Sequence, residues 1–227
     1  HNKILFFVKI KFCRKYLLNL RQNYSKRTME SIDNKILDKI KKAKRGSLFY
    51  TEDFLSFGGY KAVSKALERL VNQKQISRVA RGIFAILEED KILGEILPTA
   101  EQIAESIRKR DKARIIPTGV LAMNALGLST QIPLNLVYLT DGSARTIQVG
   151  NRNIIFKKTV PKNLSAIGKI SGLVIQALKE ISKEKVTEND IAIILEQLKN
   201  EEPYRLEHDI KLAPEWIRVI MRKALQK

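Results

Sequence analysis

Cysteine and histidine are nearly missing from this chain of 227 residues. The single cysteine, Cys13, excludes an internal disulfide framework and any cysteine-based zinc site. The two histidines, His1 and His208, stand at opposite ends of the sequence, which excludes a multi-histidine metal centre. A serine or cysteine hydrolase would have to rest on His208 alone. Acidic residues are also in deficit, with 24 Asp and Glu against 42 Lys and Arg, for a net charge of +18. No uncharged apolar run reaches the ~18 residues that a membrane-spanning helix needs.

What is present fits a globular chain of one and a half to two average domains, long enough to bury a core without staples. Hydrophobic residues make up 44% and charged residues 29%. The basic excess calls for a polyanionic partner, either nucleic acid or an acidic membrane surface. Binding is favoured over chemistry, no cofactor is expected, and a cytoplasmic location is expected.

Part of that charge is concentrated at the start. Residues 1–29 carry Lys3, Lys9, Lys11, Arg14, Lys15, Arg21, Lys26 and Arg27 and no acid. Apolar residues from Ile4 to Leu20 are interleaved with them. The stretch reads as an interfacial basic helix, as a targeting segment without a small-residue cleavage site, or as sequence foreign to the natural protein. The chain opens on His1, and Met29 directly precedes the first clean helical period, so the expectation adopted is that residues 1–28 are not native.

Residues 29–90 read as a winged helix. Ser31 is a suitable N-cap, and Ile32, Ile36, Leu37, Ile40 and Ala43 recur at helical spacing up to Gly46. Lys41, Lys42, Lys44 and Arg45 crowd the end of that helix, where they either complement its dipole or face a partner. Leu48-Phe49-Tyr50 is strand-like, and Thr51 is expected to cap a brief helix broken by Gly58-Gly59. A longer helix over residues 60–73 buries Val63, Ala66, Leu67, Leu70 and Val71. Its opposite face carries Lys61, Ser64, Lys65 and Arg69, which is a plain solvated face or the surface that a recognition helix presents to the major groove. Ile76, Val79, Ile83, Phe84 and Ile86 then make two short strands hinged at Ala80-Arg81-Gly82. A hairpin with Arg78 and Arg81 near its tip has the character of a wing lying on the phosphate backbone. Between Lys35 and Arg81 twelve basic residues face four acidic ones. The candidate DNA-binding residues are Arg45, Tyr60, Lys61, Ser64, Lys65, Arg69, Arg78 and Arg81.

Glu88-Glu89-Asp90 reads as an acidic break before a second domain over residues 91–227. There Thr99 and Thr118 are candidate N-caps, and Gly127 a helix stop. Strand-like runs at residues 136–140, 144–149 and 153–159 are linked by Asp141-Gly142-Ser143 and Gly150-Asn151-Arg152, which predicts an antiparallel β-meander. Helices return near residues 166–181, 188–199 and 214–225. The fold class expected is α+β: an N-terminal winged helix-turn-helix, then an α+β domain with a small antiparallel meander and C-terminal helices.

Chemistry is sparse. Gly142-Ser143 resembles the opening of a nucleotidyltransferase site, but Ala144-Arg145-Thr146 stands where a metal-binding pair of aspartates should follow. His208, between Glu207 and Asp209, is read as structural or exposed. Arg145, Arg152, Lys157 and Lys158 are a candidate second basic patch, or else a sheet edge blunted by charge.

The run Arg45-Gly46 to Phe54, then Lys65-Ala66-Leu67-Glu68-Arg69-Leu70 and Ile76-Ser77-Arg78-Val79-Ala80-Arg81-Gly82-Ile83-Phe84, resembles the winged-helix head of AbiEi-type antitoxins. Pro117-Thr118-Gly119, Gly127-Leu128-Ser129-Thr130-Gln131-Ile132-Pro133, Tyr138-Leu139-Thr140-Asp141-Gly142 and Asp209-Ile210-Lys211-Leu212-Ala213-Pro214-Glu215-Trp216 resemble the body of the same family. The resemblance implies a head that binds inverted repeats in double-stranded DNA of its own promoter. It also implies a C-terminal antitoxin domain counteracting a co-encoded nucleotidyltransferase toxin, in a type IV system where direct binding is not required. The toxin-neutralising surface it implies is assigned to Arg145, Arg152, Lys157 and Lys158.

Rival functions are a ligand-responsive winged-helix transcription factor with an apolar pocket in its body, a metal-dependent nuclease or nucleotide-modifying enzyme that relies on Asp141, and a peripheral membrane protein. The last depends wholly on residues 1–28 being native.

Overall fold

Ser31 stands in extended backbone, and its hydroxyl accepts the Asn34 N–H, which starts helix α1, Ile32–Lys41. The computed structural model describes residues 31–92 and 94–226, so the expectation for residues 1–28 falls outside the described residues. The chain divides into two compact units. One is built on residues 31–78 and 82–96 and the other on residues 97–226, with residues 79–81 grouped with the second.

In the first unit, α1 buries Ile36 and Ile40. It stops before Lys44 and Arg45, which therefore lie in the turn beyond it, where Gly46 has a φ of +79°. Strand β1, Leu48–Tyr50, runs into a 3-10 turn, Thr51–Phe57. Thr51 does not cap that turn. The Asp53 carboxylate reaches back to accept the Tyr50 N–H at 2.8 Å, an acid satisfying a free donor at the start of the turn.

Helix α2, Tyr60–Asn72, buries Val63, Ala66, Leu67 and Leu70, as its three-and-four spacing predicts. Each large aliphatic side chain so buried contributes about 1.5–3 kcal/mol. At Gly58 a Cβ would lie 2.8 Å from Ile32 Cδ1, so a side chain there would require the end of Ile32 to shift. Strands β2, Ser77–Ala80, and β3, Ile83–Ala85, follow, with Gly82 at φ +75° in the turn between them. The sheet order is β1-β3-β2, with Leu48 opposite Ala85 and Tyr50 opposite Ile83 in antiparallel register. Ile36, Ile40, Phe54, Leu67, Leu70, Ile76 and Phe84 form one core.

The acidic segment expected as a break is instead strand β4, Glu88–Asp90. It pairs antiparallel with β5, Gly94–Ile96, and Glu89 faces Glu95. Strand pairing here prevails over a like-charge pair that disfavours it. The compact unit ends after Ile96.

In the second unit, the Thr99 hydroxyl accepts the Gln102 N–H while the Gln102 side chain accepts the Thr99 N–H. This reciprocal cap starts helix α3, Ala100–Asp111. Strand β6, Ile115–Pro117, precedes helix α4, Gly119–Ala125, and Gly127 beyond α4 has a φ of +76°. Thr118 stands at the N-cap of α4, but its hydroxyl donates to the Val137 carbonyl instead of capping the helix.

Strands β7, Asn135–Thr140, β8, Arg145–Val149, and β9, Arg152–Lys158, complete a sheet of order β6-β7-β9-β8. This corrects the meander: β9 inserts between β7 and β8 and runs parallel to β7. The Gly150 turn has a φ of +56° and makes the β8–β9 hairpin that the sequence predicts. Gly142 has no positive φ, and Asp141 is drawn away to Arg114, so Asp141-Gly142 is a crossing and not a hairpin.

Helices α5, Lys169–Ile181, α6, Glu188–Leu198, α7, Pro203–Ile210, and α8, Glu215–Arg222, close the unit. They enclose a core that includes Val174, Leu178, Ile194, Leu206, Ile217 and Met221. Asp209 is fully buried at the start of α5, accepting the Ile167 and Gly168 N–H groups and the Ser171 hydroxyl. His208 Nδ1 lies 2.8 Å from that carboxylate. The fold is α+β.

Candidate nucleic-acid interface

Tyr60, Lys61, Ser64 and Lys65 fall on the first two turns of α2, away from its buried stripe. Tyr60 is 62% exposed, Lys61 and Lys65 are exposed, and Ser64 is half-buried. Gly59 precedes them without a side chain to cap the helix, and the first turn holds no acid. The start of α2 is therefore open and electropositive, from its two lysines and from its unpaired N–H groups.

One turn further on, Glu68 is exposed on the same outer face. It opposes the approach of any polyanion and confines the favourable surface to the beginning of the helix. Glu68 counts among the four acidic residues of the head in the sequence reading, which does not set it on this face, although its position seven residues after Lys61 puts it there.

Arg69 shares this exposed face, but its guanidinium is engaged within the unit. Its Nε and Nη2 donate to the two carboxylate oxygens of Asp33 at 2.8 and 2.6 Å, which ties α2 to α1. Those hydrogen bonds hold the Asp33 carboxyl below its ordinary range. Arg45 is also displaced. It lines a small cleft with Lys74, Gln75, Glu89 and Glu95, beside the far end of α2. Arg78 is exposed on β2, and Arg81 is exposed in the turn that precedes Gly82.

Lys39 was not singled out beforehand. Its Nζ donates to the Asp53 carbonyl and lies 5.3 Å from the Phe54 ring centre and 5.7 Å from that of Phe57. It braces the 3-10 turn against α1.

The second basic cluster does not assemble as one patch. Arg145 bonds the Asp111 carboxylate and lies over the Phe156 ring at 5.5 Å. Burial pushes the Asp111 carboxyl up, but the hydrogen bonds from Arg145 and Arg110 prevail and hold it low. Arg152 and Lys158 sit at opposite ends of β9, and Lys157 points to the other face of the sheet from Lys158. Asp141 accepts both the Arg114 N–H and its Nε, and those bonds lower its carboxyl. Among the described residues no three His, Cys, Asp or Glu side chains converge to hold a metal ion. No helix of the described residues is long and apolar enough to cross a membrane.

No curated protein matches the chain. A family model does, over residues 35–206, a span that takes in α2 and its exposed lysines together with most of the second unit, and the chain belongs to that family, DUF6088, a family of unknown function.

Proposed function

We propose that the first unit binds double-stranded DNA as a winged helix, laying the start of α2 in the major groove and the β2–β3 hairpin along the phosphate backbone. The observation that carries this is the outer surface of α2: Tyr60, Lys61, Ser64 and Lys65 stand together at an uncapped helix start, opposite a fully buried stripe. The element order supports it too. A helix, a strand, a short turn, a longer helix and a hairpin whose last strand pairs with the first are the parts such a head requires. The role proposed for the whole chain is a non-catalytic autorepressor and antitoxin acting against a co-encoded nucleotidyltransferase. That further step rests on the resemblance to AbiEi-type antitoxins.

Fluorescence anisotropy of the full chain with a duplex from its own upstream region and with an unrelated duplex tests the DNA reading. Binding of both, tighter for the former and weakened by Lys61→Ala and Lys65→Ala, is expected. Absence of duplex binding at low salt, or binding indifferent to both substitutions, sinks it. The antitoxin role predicts that co-expression relieves the toxicity of a nucleotidyltransferase encoded beside this gene.

A further inference from the structure

Within the second unit an open cleft of about 770 Å³ lies beside α3, β6, β7 and the start of α5. That volume is within the ~300–1,000 Å³ range of small-molecule sites. Its walls are largely apolar, with Ile115, Pro117, Leu164, Ile167 and Leu173 among them. Tyr138 lines it, 5% exposed, its ring stacked on Phe156 at 5.8 Å between centres. The Tyr138 hydroxyl has no hydrogen-bond partner among the described residues. Burial pushes the phenol up and the nearby Glu101 carboxylate pushes it further, so it remains a neutral donor throughout the physiological range. Asn124 Oδ1 and Arg145 Nε are the buried side-chain polar atoms without a partner among the described residues; the Tyr138 hydroxyl is not one of them and opens onto the cleft as a donor available to a bound molecule.

The surroundings narrow what can match it. Glu101 lines the same cleft without a cation of its own among the described residues. An anionic acceptor beside that carboxylate is disfavoured, so a neutral acceptor suits Tyr138 best, and Glu101, which is exposed, can accept an N–H from the same molecule.

The cationic groups nearby are mostly spent. Arg108 is bound to Glu105, and Arg114 to Asp141 and the Leu164 carbonyl. The start of α5 is closed to anions as well: Asp209 takes the Ile167 and Gly168 N–H groups, and Glu201 takes those of Ile170 and Ser171. Lys169, exposed on the cleft wall, has no ion-pair partner among the described residues.

We infer that this cleft binds a small, uncharged, mainly apolar molecule with an amide edge, a carbonyl beside an N–H as in a lactam heterocycle. Tyr138 donates to the carbonyl and Glu101 accepts the N–H. The inference is independent of the DNA reading, since every residue it uses lies in the second unit.

Isothermal titration of the full chain with 2-quinolinone, hypoxanthine and guanosine tests it, with N-methyl-2-quinolinone as the control lacking the N–H. At least one amide-edge probe should bind, and the N-methyl compound should bind at least about tenfold more weakly than 2-quinolinone. Tyr138→Phe keeps the stacked ring and should weaken binding up to about tenfold, the loss of one neutral hydrogen bond. Glu101→Gln should weaken it at least as much, a hydrogen bond to a charged group being the stronger kind. Thermal unfolding confirms that each variant is folded. No heat with any of the three probes, equal binding of the N-methyl control, or undiminished binding to folded Tyr138→Phe overturns the inference.

Discussion

Asp33 on α1 and Arg69 on α2 face each other as a two-pronged ion pair, with both carboxylate oxygens engaged. An arginine on the outer side of a DNA-reading helix would ordinarily be counted as a phosphate contact, and here the geometry assigns it to holding the two helices. Arg69→Ala should therefore lower the thermal midpoint slightly and leave the salt dependence of DNA binding as it was. Lys61→Ala and Lys65→Ala should do the reverse. Melting curves and anisotropy titrations at several salt concentrations separate the two behaviours. A shallower salt slope in Arg69→Ala would return it to the DNA surface.

With Arg69 withdrawn, Lys61, Lys65, Arg78 and Arg81 are the basic contacts expected of each head. Four neutralised phosphates give a slope of log affinity against log salt near ~ −3.6, and two heads on an inverted repeat about twice that. A slope near zero is incompatible with this interface. A slope much steeper than ~ −8 would require basic residues beyond these four in each head.

Glu68 supplies a test with the opposite sign. It is exposed on the outer face of α2 beyond Lys65, where it repels phosphate if the helix docks start first. Glu68→Gln should raise affinity for specific and unrelated duplexes alike, by about two- to fivefold at low salt, with the gain shrinking as salt screens the charge. An affinity unchanged at every salt concentration would place the duplex elsewhere.

The first unit was the more legible of the two because its information is local. The buried stripe of α2, the Ser31 cap and the glycine at the β2–β3 turn are all set by neighbours a few residues away. Partners distant in sequence were not visible: Arg69 meets Asp33 across 36 residues, and Arg145 meets Asp111 across 34. Helix α7, Pro203–Ile210, went unnoticed, since a short helix between acidic residues shows little periodicity until Leu206 and Ile210 are seen in the core. The sheet order failed for a related reason. Asp141-Gly142 carries a hairpin signature, yet Asp141 is bound to Arg114, a strand end 27 residues earlier, and β9 fills the place next to β7.

Ion pairing also sets the response to acid. Arg69 lowers the Asp33 carboxyl, Arg108 that of Glu105 and Arg114 that of Asp141, while Arg145 and Arg110 outweigh the effect of burial on Asp111. Each folded value lies below its unfolded counterpart, so the stabilisation is complete above about pH 5, and it is lost as pH falls below ~4. Thermal midpoints should be level between about pH 5 and 7 and drop steeply below about pH 4. A midpoint constant down to pH 3 would mean that these pairs are open in solution.

Asp209 should be the most sensitive single position in the second unit. Its carboxylate is wholly buried, accepts the Ile167 and Gly168 N–H groups at 2.9 Å each and the Ser171 hydroxyl, and faces His208. Space around it is equally committed, since a Cβ on Gly168 would lie 2.2 Å from Ser171 Oγ and 2.6 Å from Glu201 Oε2. Asp209→Ala leaves the buried Gly168 N–H, the partly buried Ile167 N–H and the buried Ser171 hydroxyl without an acceptor, at a cost of about 3–5 kcal/mol. At ~2–4 °C per kcal/mol for a chain of this size, the midpoint should fall by about 6–20 °C. Asp209→Asn should lie between, because its oxygen can keep one N–H while its amide nitrogen confronts another donor. Urea unfolding monitored at Trp216, partly buried against the same core, reads the second unit directly, and a loss below about 1 kcal/mol in Asp209→Ala would show that water replaces the carboxylate at the start of α5.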